Sequence, residues 1–234
     1  MSLRLSKFST LIALVALAVG CGGGDTAGEG GSSARPQRFT LPHVLPQNHP
    51  VHKALVRFAE EVESRSNGQM QIRIQEGGTL GTEVELVENV VNGTDDFTKI
   101  SATVLETKTD KAKVFTLPYL FRDDEHMWAT YESEVGRELL DMALDHNLKG
   151  IAFFPAGARS FYTRQPVSRA EDLRGMKLRV QNSVMMQRLV TSLGASPQMI
   201  PWGELYGSLE TGIVAGAENN IPSYYTESHY RVAP

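Results

Sequence analysis

Met176-Lys177-Leu178-Arg179-Val180-Gln181 opens a stretch that continues through Ser196-Pro197-Gln198-Met199-Ile200-Pro201-Trp202-Gly203-Glu204-Leu205-Tyr206. It ends in Glu210-Thr211-Gly212-Ile213-Val214-Ala215-Gly216-Ala217-Glu218-Asn219-Asn220. Short β-branched runs alternate here with helical patterns and glycine punctuation, the pattern of βα units on a largely parallel sheet. Such sheets bind ligands at the carboxyl ends of their strands. Arg179 falls near the end of one candidate strand and Asn219 just after another. An arginine in that place offers a rigid five-donor fork that suits a carboxylate.

Upstream, residues 38–44 read as a first strand. Residues 49–66 read as a helix, because Val51, Leu55, Phe58 and Val62 recur at steps of four, three and four. Asn67-Gly68 ends it. Residues 70–75 alternate as a strand does, and a Gly-rich turn then leads into a helix through Val91, with Thr82 as N-cap and Glu85 at the capping-box position. A strand over residues 97–104 would complete a β-α-β-α-β half of a doubly wound lobe. Residues 123–147 read as one long helix whose Trp128, Tyr131, Val135, Leu139 and Met142 form a buried stripe. A strand over 151–154 follows, and then Gly157-Ala158-Arg159-Ser160-Phe161-Tyr162-Thr163 with a second arginine.

At 234 residues the chain can form one large domain or two small lobes with ample core. A net charge of −4 without a basic patch argues against nucleic acid as a partner. Residues 1–21 read as a signal rather than fold: Arg4 and Lys7 precede an apolar run from Leu11 to Val19, too short to span a bilayer. The run ends in Ala18-Val19-Gly20-Cys21, which reads as a lipobox, with Cys21 acylated after cleavage. Ordinary secretion with a chance cysteine is the alternative. Cys21 is the only cysteine, which excludes an internal disulfide and a multi-cysteine metal site. Residues 22–37 begin with a Gly- and Ser-rich run and read as a flexible tether.

Leu173-Arg174-Gly175-Met176-Lys177-Leu178-Arg179-Val180, Leu193-Gly194-Ala195, Glu204-Leu205-Tyr206 and Leu209 through Asn219 follow one another in a distinctive order. So do His49-Pro50-Val51-His52, Phe58-Ala59-Glu60, Gly78-Thr79-Leu80-Gly81 and Leu117-Pro118-Tyr119-Leu120-Phe121. With these motifs the chain, from about Arg38 to its end, resembles the solute-binding subunit of tripartite ATP-independent periplasmic (TRAP) transporters. Ala215 departs from the family's usual Asp, and Gly93-Thr94-Asp95-Asp96-Phe97 from its Gly-x-x-Asp-Met. The resemblance implies an α/β, two-lobe periplasmic-binding-protein-like fold of type II kind, with a ligand cleft between the lobes. Lobe I would take most of residues 38–156. Residues 157–234 would supply a crossing strand and lobe II, incomplete at the C-terminus because members continue further.

The same resemblance assigns a carboxylate-binding role to Arg179 and cleft positions to Arg159, Asn219, Trp202 and Glu83. Read alone, each has a plainer alternative: a salt bridge for Arg179 and Arg159, core packing for Trp202, and helix-dipole complementation for Glu83. Asn219 can both donate and accept, which suits a hydroxyl or carbonyl beside the acid group. Asn220 should point the other way if the segment is extended. His49 and His52 could share a helix face, but a metal site needs further ligands that are not visible nearby. No Gly-x-Ser-x-Gly, His-Glu-x-x-His or other nucleophile–base pattern is present, so neither catalytic residues nor a cofactor are expected. The expected protein is an extracytoplasmic receptor, lipid-anchored in the periplasm, that closes on an organic acid. A sugar acid such as a uronate, or a C4-dicarboxylate, is the candidate ligand. Its further partners would be the integral-membrane permease subunits. Two alternatives are a solute-sensing input lobe for a signalling partner and a secreted lipoprotein enzyme acting on sugar acids.

Overall fold

Strand β1 (Gln37–Pro42) and strand β2 (Met70–Gln75) pair in parallel, Gln37 opposite Met70, with helix α1 (Pro50–Arg65) as the crossover. The computed structural model describes residues 35–234, so the expected signal, the lipobox Cys21 and most of the tether lie outside the described residues. The apolar side of α1 buries Val51 and Leu55 against Leu41 and Leu45. His49 caps α1 by accepting a hydrogen bond from the Val51 N–H, and Pro50 takes the first helical position, where its missing N–H costs nothing. Asn67 and Gly68, both at positive φ, end the helix as expected.

Helix α2 (Glu83–Val91) starts with the expected capping box between Thr82 and Glu85. The next expectation fails. Residues 97–104 do not form a third strand; they make one rung to β1, the Phe97 N–H donating to the Thr40 carbonyl, and then coil into a 3₁₀ turn, Ala102–Thr107. Side chains have taken the groups a ladder would use. Asp96 accepts from the Thr40 N–H at 2.8 Å, and Glu83 accepts from the Ser101 N–H at 2.8 Å.

The expected long helix over 123–147 is also divided. Helix α3 (Asp124–Glu132) and helix α4 (Glu134–Leu140) meet at Ser133, whose hydroxyl accepts from the Val135 N–H and so starts a new helix. A Cβ on Gly136 would lie 1.9 Å from the Tyr131 carbonyl oxygen, so the corner needs glycine there. The break changes the phase of the apolar stripe. Met142 is buried and Leu139 packs on its cluster, whereas Trp128 is 44% and Val135 51% exposed. Residues 151–154, expected as a strand, find no strand beside them among the described residues. They are held instead by packing, Phe153 stacking on Tyr131 at 4.2 Å.

The second half builds a four-stranded sheet from β3 (Arg159–Thr163), β4 (Lys177–Val180), β5 (Ser196–Met199) and β6 (Gly216–Asn220), in the order β3-β6-β4-β5. β4 is parallel to both neighbours and β3 is antiparallel to β6. Helix α5 (Val184–Ser192) covers one face, packing on Leu178 and Val180. Helix α6 (Leu205–Glu210) and the chain near Ala233 cover the other, against Tyr162 and Ala217. After β5 the chain returns to the far side of β4, so the winding reverses between β4 and β6, and a crevice opens at their carboxyl ends. Helix α7 (Ile221–Thr226) follows β6 directly.

Gly216 sits where β6 is squeezed between its neighbours. A Cβ there would lie 2.4 Å from the Tyr162 carbonyl oxygen and 2.5 Å from Thr163 Cγ2. Gly216→Ala is expected to lower the thermal midpoint by roughly 3–10 °C, the cost of overpacking a sheet interior, read by circular dichroism. An unchanged midpoint would mean that β3 and β6 separate freely.

Candidate functional site

The crevice between β4 and β6 opens into a cavity of about 800 Å³ that also borders the first half of the chain. Glu83, Arg159, Trp202 and Asn219 all line it, so four of the five expected ligand residues are brought together. Arg179 is not on its wall. Strand alternation sends Arg179 to the Tyr162 and Ala217 face, where it is 2% exposed. Its Nε–H donates to the Ile200 carbonyl at 2.8 Å, and its guanidinium carbon lies 5.8 Å from the centre of the Trp202 ring. Trp202 therefore connects Arg179 to the cavity. Arg179 Nη1 is buried and has no hydrogen-bond partner among the described residues.

Arg159 leaves the opposite face of the sheet. It grips Glu218 in two places, Nη2 to Oε1 at 3.0 Å and Nε to Oε2, and also donates to the Glu218 carbonyl at 3.1 Å. Glu218 is thus committed to Arg159, and Arg179 makes no ion pair with it. Burial pulls the Arg179 pKa below the ordinary arginine value; Glu218 opposes this from a distance and Arg159 adds to it. Nearby His229 does not add charge. Its pKa falls to about 4 through burial and then the Arg179 charge, and its Nδ1 bonds the Tyr162 hydroxyl at 2.8 Å. Glu83 adds a further, weaker favourable charge, and Arg179 makes no ion pair of its own among the described residues.

Asn219 Oδ1 accepts from the Asn220 N–H at 2.8 Å, so the amide end that remains on this cavity-lining residue is a donor. Asn220 also lines the cavity, contrary to the expectation that it points away, because the strand ends there. Its Oδ1 accepts from the Ser223 N–H and caps α7. Glu83 Oε1 accepts from both the N–H and the hydroxyl of Ser101, at 2.8 and 3.1 Å, so the first-turn carboxylate braces residues 97–101 as well as facing the cavity.

Other cavity residues were not singled out from the sequence. Lys99 lies with its Nζ 3.6 Å from Glu83 Oε1. Gln181 follows β4 immediately, a position that the carboxyl-end rule points to. It bridges the halves, accepting from the Thr103 hydroxyl at 2.8 Å and donating to Ser101 at 2.7 Å. Outside the cavity lining, Glu106 reaches across to the start of α5, accepting from the Ser183 hydroxyl and the Met185 N–H.

His49 and His52 do not act as a pair. His49 Nδ1 accepts from the Val51 N–H, so its proton sits on Nε2 and faces Ser223 Oγ at 3.1 Å. His43 Nδ1 likewise accepts from the Leu45 N–H, and its Nε2 bonds His52 Nδ1 at 3.1 Å. Burial above all, then the charge of Lys99 and neighbouring histidines, pushes His43 and His49 down to about 4. Among the described residues, no group of three or more potential ligands could hold a metal ion.

A profile of the DctP family, described as bacterial extracellular solute-binding protein, family 7, matches residues 41–234. The chain is 32% identical over 192 residues to a solute-binding protein of Chromohalobacter salexigens, covering 82% of this chain and 57% of that protein. Among solved structures it resembles a TRAP periplasmic solute-binding protein from Xanthobacter autotrophicus with bound β-D-galacturonate. The TM-score is 0.81 at 37% identity, over 83% of this chain and 65% of that one. It also resembles one from Sulfurospirillum deleyianum with bound succinate, with a TM-score of 0.80 at 26% identity over 86% and 65% of the two chains. The chain thus spans less than two thirds of the length of the relatives it matches.

The three neutral histidines give a pH dependence with a definite sign. His43, His49 and His229 stay unprotonated in the folded chain down to about pH 4. The unfolded chain takes up those protons near the ordinary pKa of about 6.5. Their stabilisation is therefore complete above about pH 6.5 and is lost as pH falls toward 4, by up to about 3 kcal/mol for each group. Urea midpoints measured between pH 7 and 4 should fall steadily. His49→Asn, which keeps an N-cap, should remove one of the three contributions; a slope unchanged in that variant would refute the assignment for His49.

Proposed function

The chain belongs to the bacterial extracellular solute-binding protein family 7, and on that premise we propose that it captures an organic acid in the cleft between its two halves. The observation that carries this reading is the buried Arg179, whose Nη1 has no hydrogen-bond partner among the described residues and whose nearest sheet carboxylate, Glu218, is bound to Arg159. A charge in that state costs free energy until an anion reaches it. The acid group of the ligand takes the free side of the Arg179 fork and packs on Trp202. Asn219 bonds the substituent next to it, and Arg159, held by Glu218, bounds the other side of the cavity.

Capture is by closure. A ligand touching residues from both halves favours the arrangement in which they meet. The acid is released unchanged to the integral-membrane permease subunits of a TRAP-type transporter. The sites of action are the periplasm and the outer side of the membrane, where acylated Cys21 would anchor the chain. Among the described residues, no helix is long and apolar enough to cross a membrane.

Arg179→Met separates this reading from a structural role. A salt-bridged structural arginine would cost about 3–5 kcal/mol when its partner is stranded. Arg179 has no such partner, so the ligand-free variant should melt within about 3 °C of wild type. In a thermal-shift screen of uronates and C4-dicarboxylates, the shift given by the best acid for wild type should vanish in the variant. A variant that keeps the full shift would sink the carboxylate role of Arg179.

A further inference from the structure

Lys99 and Glu83 line the cavity from the first half of the chain, and Asn219 and Trp202 line it from the second. Their side chains are 16% and 10% exposed. The Lys99 Nζ stands 3.6 Å from Glu83 Oε1, beyond hydrogen-bond range, so the two charges are near each other without being closed on each other. Glu83 Oε1 is occupied by Ser101, which fixes the carboxylate and leaves the other oxygen for a donor. An ammonium only donates and a carboxylate only accepts, whereas a hydroxyl does both.

We propose that Lys99 and Glu83 form a hydroxyl-reading wall that selects polyhydroxylated monocarboxylates, the sugar acids, over dicarboxylates. This rests on the reading of the cleft as a carboxylate receptor. A sugar hydroxyl accepts from Lys99, and the same or a vicinal hydroxyl donates to Glu83. A second ligand carboxylate would also meet Lys99, but it would face the Glu83 carboxylate at close range, with nothing left to donate to it. Two like charges in a cleft screened less than bulk water repel strongly. Family membership alone does not choose between these ligands, since one solved relative holds galacturonate and another succinate. The Lys99–Glu83 pair does choose, because it is neutral as a unit and bipolar at short range.

The test is isothermal titration of the full-length protein with D-glucuronate, D-galacturonate and succinate. Wild type would be run beside Lys99→Met, Glu83→Gln and Arg179→Met, with melting curves as the check on folding. Wild type should bind at least one hexuronate about tenfold or more tighter than succinate. Lys99→Met should weaken that hexuronate by roughly 10- to 100-fold, the worth of a hydrogen bond to a charged group. Glu83→Gln, which keeps the oxygen that holds Ser101, should tighten succinate and weaken the hexuronate, narrowing the preference from both sides. A preference for succinate in wild type, or an unchanged ratio in both Lys99→Met and Glu83→Gln, would overturn the proposal. The underlying reading fails differently. If Arg179→Met binds as wild type does while the wall variants shift the ratio, the Arg179 role falls and the wall stands; if none of the three acids binds wild type, both fall.

Discussion

The Arg179 guanidinium is 2% exposed, and one of its terminal nitrogens has no hydrogen-bond partner among the described residues. Taking such a charge out of water costs on the order of several kcal/mol, and the surrounding structure offsets only part of it. The Ile200 carbonyl accepts from Nε, which requires the end of β5 to lie beside β4, and Pro201 then directs the chain into the turn that holds Trp202. Trp202 offers its ring to the guanidinium. Glu218 would be the natural counter-ion, but it leaves the other face of β6 and is gripped by Arg159. The strand pairings, the Trp202 turn and the Arg159–Glu218 pair thus follow from one another, and together they leave Arg179 Nη1 without a partner among the described residues.

How far the sequence reveals this depends on how local the signal is. Leu178, Arg179 and Val180 alternate over a single strand, and the alternation alone places the arginine on one face and its neighbours in the core. Gly216 to Asn220 and the glycine-punctuated helices are legible for the same reason, and the family resemblance read from them agrees with the family match. Long-range side-chain competition is not legible. Asp96 and Glu83 capture backbone N–H groups of Thr40 and Ser101, which turns an expected strand into an extended segment and a 3₁₀ turn. Lys99 was hidden inside that expected strand. The helical steps from Trp128 to Met142 are real, but Ser133 restarts the helix and shifts the phase, a capping effect that periodicity does not register. His49 reads as a helix-start residue, and nothing near it announces Ser223, 174 positions away.

A small set of polar contacts joins the two halves of the chain. Glu106 caps the start of α5, Gln181 links Thr103 with Ser101, and His49 faces Ser223. Each joins residues that are far apart in sequence and ends on, or next to, an element that lines the cavity. The Asn220 cap ties Ser223 to the end of β6, so the α1 terminus and the strand bearing Asn219 are held by consecutive hydrogen bonds. These contacts orient the cleft walls while adding little net adhesion, since water can replace each of them.

The polarity of those contacts has a calorimetric consequence. Exposing apolar surface raises heat capacity, and exposing polar surface lowers it. When Glu106, Ser183, Gln181 and His49 part from their partners, the groups that meet water are a carboxylate, hydroxyls, an amide and an imidazole. Separation at these points alone carries a small or negative heat-capacity change, unlike the parting of an oily interface. Under the proposed capture by closure, these contacts would add little to the heat-capacity change of binding, which would then report mainly on apolar surface covered in the cleft.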